Sequence, residues 1–259
     1  LFPYHDSFNF ISIVCCYSGR YECEFSNHQV FYLSEGSFAV MGTKYLPSFF
    51  SFPLKKCFAF SLVIDIQSLS SNSIQLLDSF DLNINKISEH LRLDENGYLC
   101  HAEKELGHIF SEIYEAKDIN DISYFRIKAI EFLFRINKFS HDENQSFQYY
   151  DKKYIQKAKE ICNYMIEHLD EKVSLRQLTA EKDFNLSLFH KVFTQIYGDT
   201  PYAYIKKYKM NIAANELKNT DRKINDIALS LGYNNASKFS IAFHSVYDIL
   251  PKDYRKQNN

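Results

Sequence analysis

The side chains with the clearest chemistry lie in two short polar groups near the C-terminal end of the chain. The first group contains Ser187, Leu188, His190 and Lys191, and the second contains Ala236, Ser237, Lys238, Ser240 and Ile241. An imidazole donates or accepts hydrogen bonds and an ammonium suits a guanine edge or a phosphate, so the first group could contact nucleic-acid bases. The second group offers short hydroxyls and apolar side chains, which suit phosphates and thymine methyls. The alternative for each group is a solvated helix face.

Several cations lie between and beside these groups: Lys206, Lys207 and Lys209, followed by Arg222 and Lys223. We interpret this basic edge as a set of phosphate contacts. Each true contact would contribute about −0.9 to the slope of log affinity against log salt concentration. A face that only increases solubility is the alternative for any one of them. Arg255 is predicted to pack and cap the C-terminal end rather than to read DNA.

The net charge of −2 conceals two halves of opposite sign. Residues 1–149 contain 12 basic and 19 acidic side chains, a charge of −7, whereas residues 150–259 contain 18 basic and 13 acidic ones, a charge of +5. Near-neutrality would ordinarily argue against nucleic acid as a partner, but the division indicates two domains with different partners.

Patterns for catalysis and metal binding are missing from the sequence. The six cysteines form no C-x-x-C pair and no zinc-finger spacing, and five of them fall in the N-terminal half, mostly in apolar runs. We therefore predict reduced, buried thiols, no metal site, no cofactor and no catalytic residue. The chain is predicted not to be an enzyme.

No window approaches the roughly 18 consecutive apolar residues of a membrane-spanning helix, so we expect a cytoplasmic protein without a membrane partner. The first eight residues have neither the basic start nor the apolar run of a secretory signal. Because the sequence does not begin with Met, we expect the native chain to start upstream of Leu1.

Two patterns organise the N-terminal half. Residues 8–65 contain six short runs rich in Phe, Val, Ile and Tyr, which predict strands of a barrel or a sandwich. From about residue 67 the apolar spacing becomes helical, first at Leu99, Ala102, Leu106, Ile109, Phe110 and Ile113, and then at Ile119, Ile122, Phe125, Ile130, Leu133 and Phe134. We predict a barrel over about 1–66, helices over about 67–140, and a linker over 141–151 because HDENQSFQYYD has no apolar period.

Residues 152–259 contain an internal repeat. Five pairs of residues lie 50 apart: Phe189 and Phe239, Phe193 and Phe243, Tyr197 and Tyr247, Pro201 and Pro251, Tyr204 and Tyr254. Each unit predicts a helix, a short turn and a second helix, which is a helix-turn-helix. Ser174 and Gln177 form a capping box, Asn185 is a cap for the next helix, and Gly232 suits a left-handed helix end. Between the units, residues 201–220 predict one long helix.

Residues 174–255 resemble the tandem helix-turn-helix DNA-binding domain of AraC/XylS-type transcription regulators. The resemblance rests on Leu178, Phe193, Gly198, Pro201, Ala213, the stretch IxxIALSLGY from Ile224, Phe239, Phe243, Pro251, Tyr254 and Arg255. Asp183 and Asp248 stand where the family often has Gly, and Asp tolerates left-handed backbone better than most residues. The resemblance implies that the first polar group enters the major groove, with Ser187, His190 and Lys191 at or beside the bases.

The same resemblance makes the second polar group a weak reader, because many family members place a long polar side chain at the position of Ile241. It also relates residues 1–65 to the cupin-like sensor barrel that many members carry, through the region of His5, Gly19 and the Glu35-Gly36 turn. His5, Arg20 and His28 are candidate polar anchors for an effector in that barrel; surface or core roles are the alternatives. The isolated histidines do not fit the closely spaced metal ligands of enzymatic cupins.

Together these features predict an α+β multidomain protein: an N-terminal cupin-like β-barrel followed by helices, and a C-terminal all-α domain with two helix-turn-helix units joined by a long helix. We expect a regulator that binds promoter DNA, with activation favoured over repression and RNA polymerase as a partner. Residues 1–140 would sense a small molecule, form a homodimer through helices in 99–139, or do both. The alternatives are a regulator without an effector, controlled by a protein partner or by abundance, and a cupin enzyme fused to a DNA-binding module.

Overall fold

The computed structural model describes residues 9–43, 46–54, 56–93, 98–101, 106–119, 121–139 and 148–258. The chain divides into two compact units, residues 1–152 and residues 153–259. The first unit contains two antiparallel sheets with helices, and the second is helical. The α+β composition follows the prediction. No helix in these ranges is both long and apolar enough to span a membrane.

Two four-stranded sheets form the strand region of the first unit. The first, sheet 1, has the order β6-β1-β4-β7, and the second, sheet 2, has the order β5-β2-β3-β8. All paired strands are antiparallel. The strands are β1 Phe10–Ser18, β2 Arg20–Glu24, β3 Gln29–Ser34, β4 Ser37–Gly42, β5 Phe49–Ser51, β6 Phe58–Asp65, β7 Tyr98–His101 and β8 Tyr150–Asp151.

Sheet 1 is covered on both faces, which explains why β1 is almost continuously apolar. Ile13 and Cys15 on one face of β1 pack into a core shared with the helices, whereas Val14 and Cys16 on the other face pack toward sheet 2. The core between the sheets is filled by buried side chains: Val14, Cys16, Cys23, Phe25, Phe31, Leu33, Ala39 and Met41. Because successive side chains of a strand point to opposite faces, β1 contributes side chains to two cores.

Four helices follow or interrupt the strands in the first unit: α1 Ser71–Asp78, α2 Ile84–His90, α3 Gly107–Glu115 and α4 Ile122–Ile136. Side-chain oxygens of Ser70, Asn83 and Asp121 cap the first turns of α1, α2 and α4. Their apolar faces, including Phe110 and Phe132, bury against sheet 1. The helices predicted after about residue 67 are therefore a layer on the sheet.

Three details of the first unit differ from the predictions. The described strands form two separate sheets rather than one closed barrel. Leu99, predicted on a helix, lies in β7, which pairs with β4, and α3 starts only at Gly107; Ala102 lies outside the described residues. Tyr150 and Asp151, predicted in the linker, pair with β3, and residues 141–147 lie outside the described ranges. Strands of four and two residues are too short to display an apolar period.

The second unit repeats one helical arrangement twice. Its helices are α5 Lys152–Glu167, which begins at the unit boundary, α6 Leu175–Glu181, α7 Leu186–Tyr197, α8 Pro201–Asn219, α9 Ile224–Ser230, α10 Ala236–Tyr247 and α11 Pro251–Asn258. Helices α6 and α7 form the first helix-turn-helix, and α9 and α10 form the second. The repeated phenylalanines of α7 and α10 are fully buried, and Pro201 and Pro251 open the helix that follows each unit.

The helix ends follow the local chemistry of the sequence. Ser174 Oγ accepts from Gln177 N at 3.4 Å, Asn185 Oδ1 accepts from Leu188 N at 3.0 Å, and Asn235 Oδ1 accepts from Lys238 N at 2.9 Å. Asp183 and Asp248 have left-handed backbone, with φ of 48° and 55°. These caps confirm the predicted turns and show why Asp can stand where Gly is common.

Candidate nucleic-acid interface

Helix α7 separates an apolar face from a polar one. Phe189, Val192, Phe193 and Ile196 are buried. Ser187 and Lys191 are exposed, whereas Leu188 and His190 are half-buried. The ring of His190 lies edge-on beside Phe189, with centroids 5.8 Å apart. The contact with Phe189 restrains the imidazole of His190, and the exposed side chains of Ser187 and Lys191 lie beside it. The helix therefore presents a face of side chains that can form hydrogen bonds.

Helix α10 has the same construction with poorer hydrogen-bonding groups. Phe239 and Phe243 are fully buried. On the opposite face Ser237 and Lys238 are exposed, and Ala236 and Ser240 are half-buried. Ile241 is 72% exposed, which is unusual for an isoleucine on a helix with a well-packed core. The exposed face therefore presents one cation, two hydroxyls and an apolar group.

Helix α8 fixes the separation of α7 and α10. Its 19 residues form one uninterrupted helix, about 28 Å long at 1.5 Å per residue. Ile205 and Met210 are buried, and Ala213 and Leu217 pack with α9 and α10 in one core. Because α8 packs against both helix-turn-helix units, the polar faces of α7 and α10 belong to one rigid frame rather than to two tethered domains.

The predicted basic edge has three different environments. Lys206 is exposed and its Nζ lies 3.3 Å from Ser245 Oγ, and Lys207 is exposed and pairs with Asp199 at 2.7 Å. Arg222 pairs with Glu216 at 3.0 Å, and Lys223 is exposed.

Lys209 differs because it is half-buried, with Nζ 5.7 Å from the centroid of the Tyr233 ring. Burial lowers the pKa of Lys209, and the nearby Asp170 opposes that shift.

Arg255 holds the end of α8, as predicted. Its Nε donates to the carbonyl of Leu217 at 3.3 Å and its Nη2 donates to the carbonyl of Arg222 at 2.7 Å. The last carbonyls of a helix lack partners within that helix, and a guanidinium satisfies them well. The side chain fastens α11 to the turn between α8 and α9.

A cleft of about 430 Å³ lies between the end of α5 with the loop that follows it, the first half of α8, and the turn and helix start of the second helix-turn-helix. It is lined from four segments of the second unit, by His168, Lys172, Tyr202, Lys209, Tyr233 and Lys238 among others. Tyr202 is 60% exposed. Of these residues, only Lys209 and Lys238 were predicted from sequence. The others come from a helix end, a loop, a helix start and a turn, so no spacing pattern unites them.

Gly232 lies where the turn between α9 and α10 approaches the loop after α5. It has a φ of +77°, and a Cβ atom there would lie 2.7 Å from the carbonyl oxygen of Leu169. Both the left-handed backbone and the close approach require a residue without a side chain. This position therefore sets the packing of the second helix-turn-helix against the loop after α5.

The structure separates the predicted effector anchors. Arg20 begins β2 and is half-buried, whereas His28 is exposed in the turn at the far end of the β2–β3 hairpin. His5 lies outside the described residues. Neither Arg20 nor His28 lines the cavities described here. Within the described residues no group of His, Cys, Asp and Glu could hold a metal ion, and burial raises the pKa of the Cys15, Cys16, Cys23 and Cys162 thiols.

Comparisons with known proteins match the second unit. Residues 179–257 match a helix-turn-helix domain family. The regulatory protein SoxS of Salmonella typhimurium is 30% identical over 95 residues, which cover 37% of this chain and 89% of SoxS. The chain belongs to the AraC/XylS family of transcriptional regulators. As a member of that family it is a DNA-binding transcriptional regulator.

Two further similarities cover a larger and a comparable share of the chain. The transcriptional activator RhaS of Mannheimia succiniciproducens is 22% identical over 186 residues, which cover 72% of this AraC/XylS-family chain and 67% of RhaS. The C-terminal domain of AraT, a response regulator from Geobacillus stearothermophilus, has 22% identity and a TM-score of 0.37, with 39% of this chain and 84% of that domain covered. SoxS and the AraT domain both match only a region the size of the second unit.

Proposed function

We propose that this AraC/XylS-family regulator binds promoter DNA by placing α7 and α10 in two successive major grooves on one side of the duplex. The observation that carries the proposal is the continuous α8, which holds two recognition helices with exposed polar faces in one frame. Its length of about 28 Å, with the sideways displacement of the helices, suits the ~34 Å of one DNA turn.

In this proposal α7 and α10 have different roles. In α7, Ser187, His190 and Lys191 contact or flank bases, with Leu188 beside them. In α10, Ser237, Lys238 and Ser240 hold phosphates, and Ala236 and Ile241 contact thymine methyls. The exposed Ile241 supports this division because an apolar group can discriminate a methyl but cannot form a hydrogen bond with a base edge.

Among the lysines of α8, Lys206 and Lys207 are the stronger candidates for phosphate contact because both are exposed. Their partners, Ser245 and Asp199, hold the ammonium groups only weakly, since surface ion pairs contribute about 0–1 kcal/mol. Lys209 stays a candidate at the rim of the cleft that also contains Lys238. Its half-buried position beside Tyr233 gives it a second role, which is to hold α8 against the turn between α9 and α10.

The first unit is proposed to control the second. A homodimer would form through the helices in 99–139, where α4 has the exposed apolar side chains Ile127 and Phe134, and a small-molecule effector would favour one arrangement of the regulator. We favour activation of transcription, with RNA polymerase as the partner. His5, Arg20 and His28 remain predictions for effector contact.

A regulator without a small-molecule effector is the second candidate. The observation in its favour is the core between sheet 1 and sheet 2, which is filled by buried side chains such as Phe31 and Met41. An effector held inside the strand region, as in the cupin-like prediction, would have to displace them. Control by a protein partner or by abundance needs no such space.

The proposal is tested by selection from randomised DNA duplexes with the purified full chain, followed by anisotropy titrations of the enriched duplex at two salt concentrations. We expect an enriched sequence and an affinity that falls steeply with salt, because several phosphates are neutralised. No enriched sequence, or binding that does not respond to salt, would overturn the proposal.

A further inference from the structure

The first unit contains a cavity on the side of sheet 1 that faces the helices. Its volume is about 220 Å³. Strands β1 and β6 form one wall through Ile13, Cys15, Phe60, Ser61 and Leu62, and α3 and α4 form the other through Ile113, Phe125, Lys128, Ala129 and Phe132. The space lies outside the filled core between the sheets and does not involve Arg20 or His28.

The wall of this cavity is almost entirely apolar and partly aromatic. Phe132 and Ile13 are buried, and Phe60 and Ile113 are half-buried against the same core. Burial raises the pKa of the Cys15 thiol, so that group is neutral at the wall. A pocket of apolar side chains with few polar groups is the usual construction of a small-molecule site.

Lys128 brings a charged group to the wall of the cavity, and its ammonium is already paired with carboxylates. Lys128 Nζ donates to Glu112 Oε2 and, at 2.8 Å, to Glu131 Oε2. His108 Nε2 lies 3.2 Å from Glu131 Oε1. Two carboxylates already surround the one ammonium, so a ligand anion near Lys128 would meet a net negative cluster of Lys128, Glu112 and Glu131. An ammonium has three N–H groups, and the third can donate to a neutral oxygen.

The volume sets the size of an occupant. An apolar cavity of about 150 Å³ holds one benzene, so a space of this volume suits a molecule of about ten non-hydrogen atoms. We propose that this cavity is the effector site and that it takes a neutral, bicyclic-sized aromatic or aliphatic molecule with at most one polar group. This inference rests on the proposed function for its regulatory meaning, but not for the existence of the site.

The test compares two probes that share the naphthalene ring system, 2-naphthol, which is neutral near pH 7, and the anion 2-naphthoate. Binding to the purified full chain is measured by calorimetry. We expect one saturable site for 2-naphthol with a Kd of about 0.1 mM, as for an efficient ligand of this size. Binding of 2-naphthoate should be at least ~10-fold weaker because of Glu112 and Glu131.

Two variants fill the cavity from different helices, Ala129→Phe on α4 and Ile113→Phe on α3. Each should weaken 2-naphthol binding at least ~10-fold, because a well-packed site has no room for both rings. Ser123→Phe adds the same side chain at an exposed position of α4 and should leave binding unchanged. Far-UV circular dichroism checks that each variant is folded.

A second measurement needs no variant. In a chain with labelled isoleucine methyl groups, 2-naphthol should shift the Ile13 and Ile113 signals first. Absence of saturable 2-naphthol binding, equal binding of both probes, unchanged binding by folded cavity-filling variants, or methyl shifts confined to other sites would overturn the inference. DNA titrations on the same samples distinguish the failures: salt-sensitive DNA binding without 2-naphthol binding removes only the effector site.

Discussion

At the scale of single residues, the two recognition helices differ in what they can discriminate. Lys191 on α7 is an exposed cation beside His190, whereas the most exposed apolar side chain of α10 is Ile241. A side chain that forms paired hydrogen bonds with a base contributes about 1–3 kcal/mol of discrimination, and a methyl contact contributes less.

The first prediction concerns this difference. Lys191→Ala should change the sequence preference of the regulator more than Ile241→Ala does, because it removes hydrogen bonds to a base edge. The measurement is a set of anisotropy titrations against duplexes with single base-pair changes in each half-site. If Ile241→Ala altered the sequence preference more, the proposal that α7 reads bases and α10 mainly holds phosphates would fail.

A second residue-scale prediction concerns Gly232. Gly232→Ala should destabilise the second unit by about 2–3 kcal/mol, because it adds left-handed strain and a Cβ atom close to the Leu169 carbonyl. Chemical denaturation followed by far-UV circular dichroism measures this loss.

Asp248→Gly is the matched control for Gly232→Ala, since Asp248 has a φ of 55°. It should be neutral or stabilise by up to about 1 kcal/mol. A fully stable Gly232→Ala variant would show that the close approach between the α9–α10 turn and the loop after α5 is not required.

At the scale of elements, the two faces of α4 have different environments. Phe125, Lys128 and Phe132 recur at intervals of three and four and face the cavity beside sheet 1. Ile127 and Phe134 lie seven residues apart on the opposite face and are 62% and 40% exposed. Exposed apolar pairs on one helix face mark a surface that another protein could cover.

The third prediction follows from this outward face. The double variant Ile127→Lys with Phe134→Lys should raise the dimer dissociation constant at least ~10-fold, because it places charges in an apolar interface. Analytical ultracentrifugation gives that constant. Leu76→Lys on α1 is the matched control, since Leu76 is also exposed and apolar. Equal self-association of all three proteins would place the dimer surface elsewhere.

The elements also show where sequence patterns suffice. The second unit was predictable because each helix is long enough for its apolar period and because caps such as Asn185 mark its ends. Strands β7 and β8 were missed because pairing with β4 and β3, rather than their own pattern, makes them strands. The half-buried position of Lys209 was not visible either, since it depends on contact with Tyr233 in the turn between α9 and α10.

At the scale of the whole molecule, opposite charges are divided between two compact units. The acidic first 149 residues carry −7 and the basic remainder carries +5. A DNA-binding unit of such modest charge gains little from non-specific attraction, so tight binding needs two half-sites held at the correct distance, or two linked copies of the chain. The rigid α8 meets the first of these needs.

The central claim is that one chain reads two successive major grooves through a fixed frame. Insertion of five base pairs between the selected half-sites turns the second half-site to the opposite side of the duplex. We predict that this insertion weakens binding by at least ~100-fold, approaching the affinity for a single half-site. Equal affinity for the selected and the inserted duplex would contradict the account, because it would mean that a single helix-turn-helix unit carries the binding.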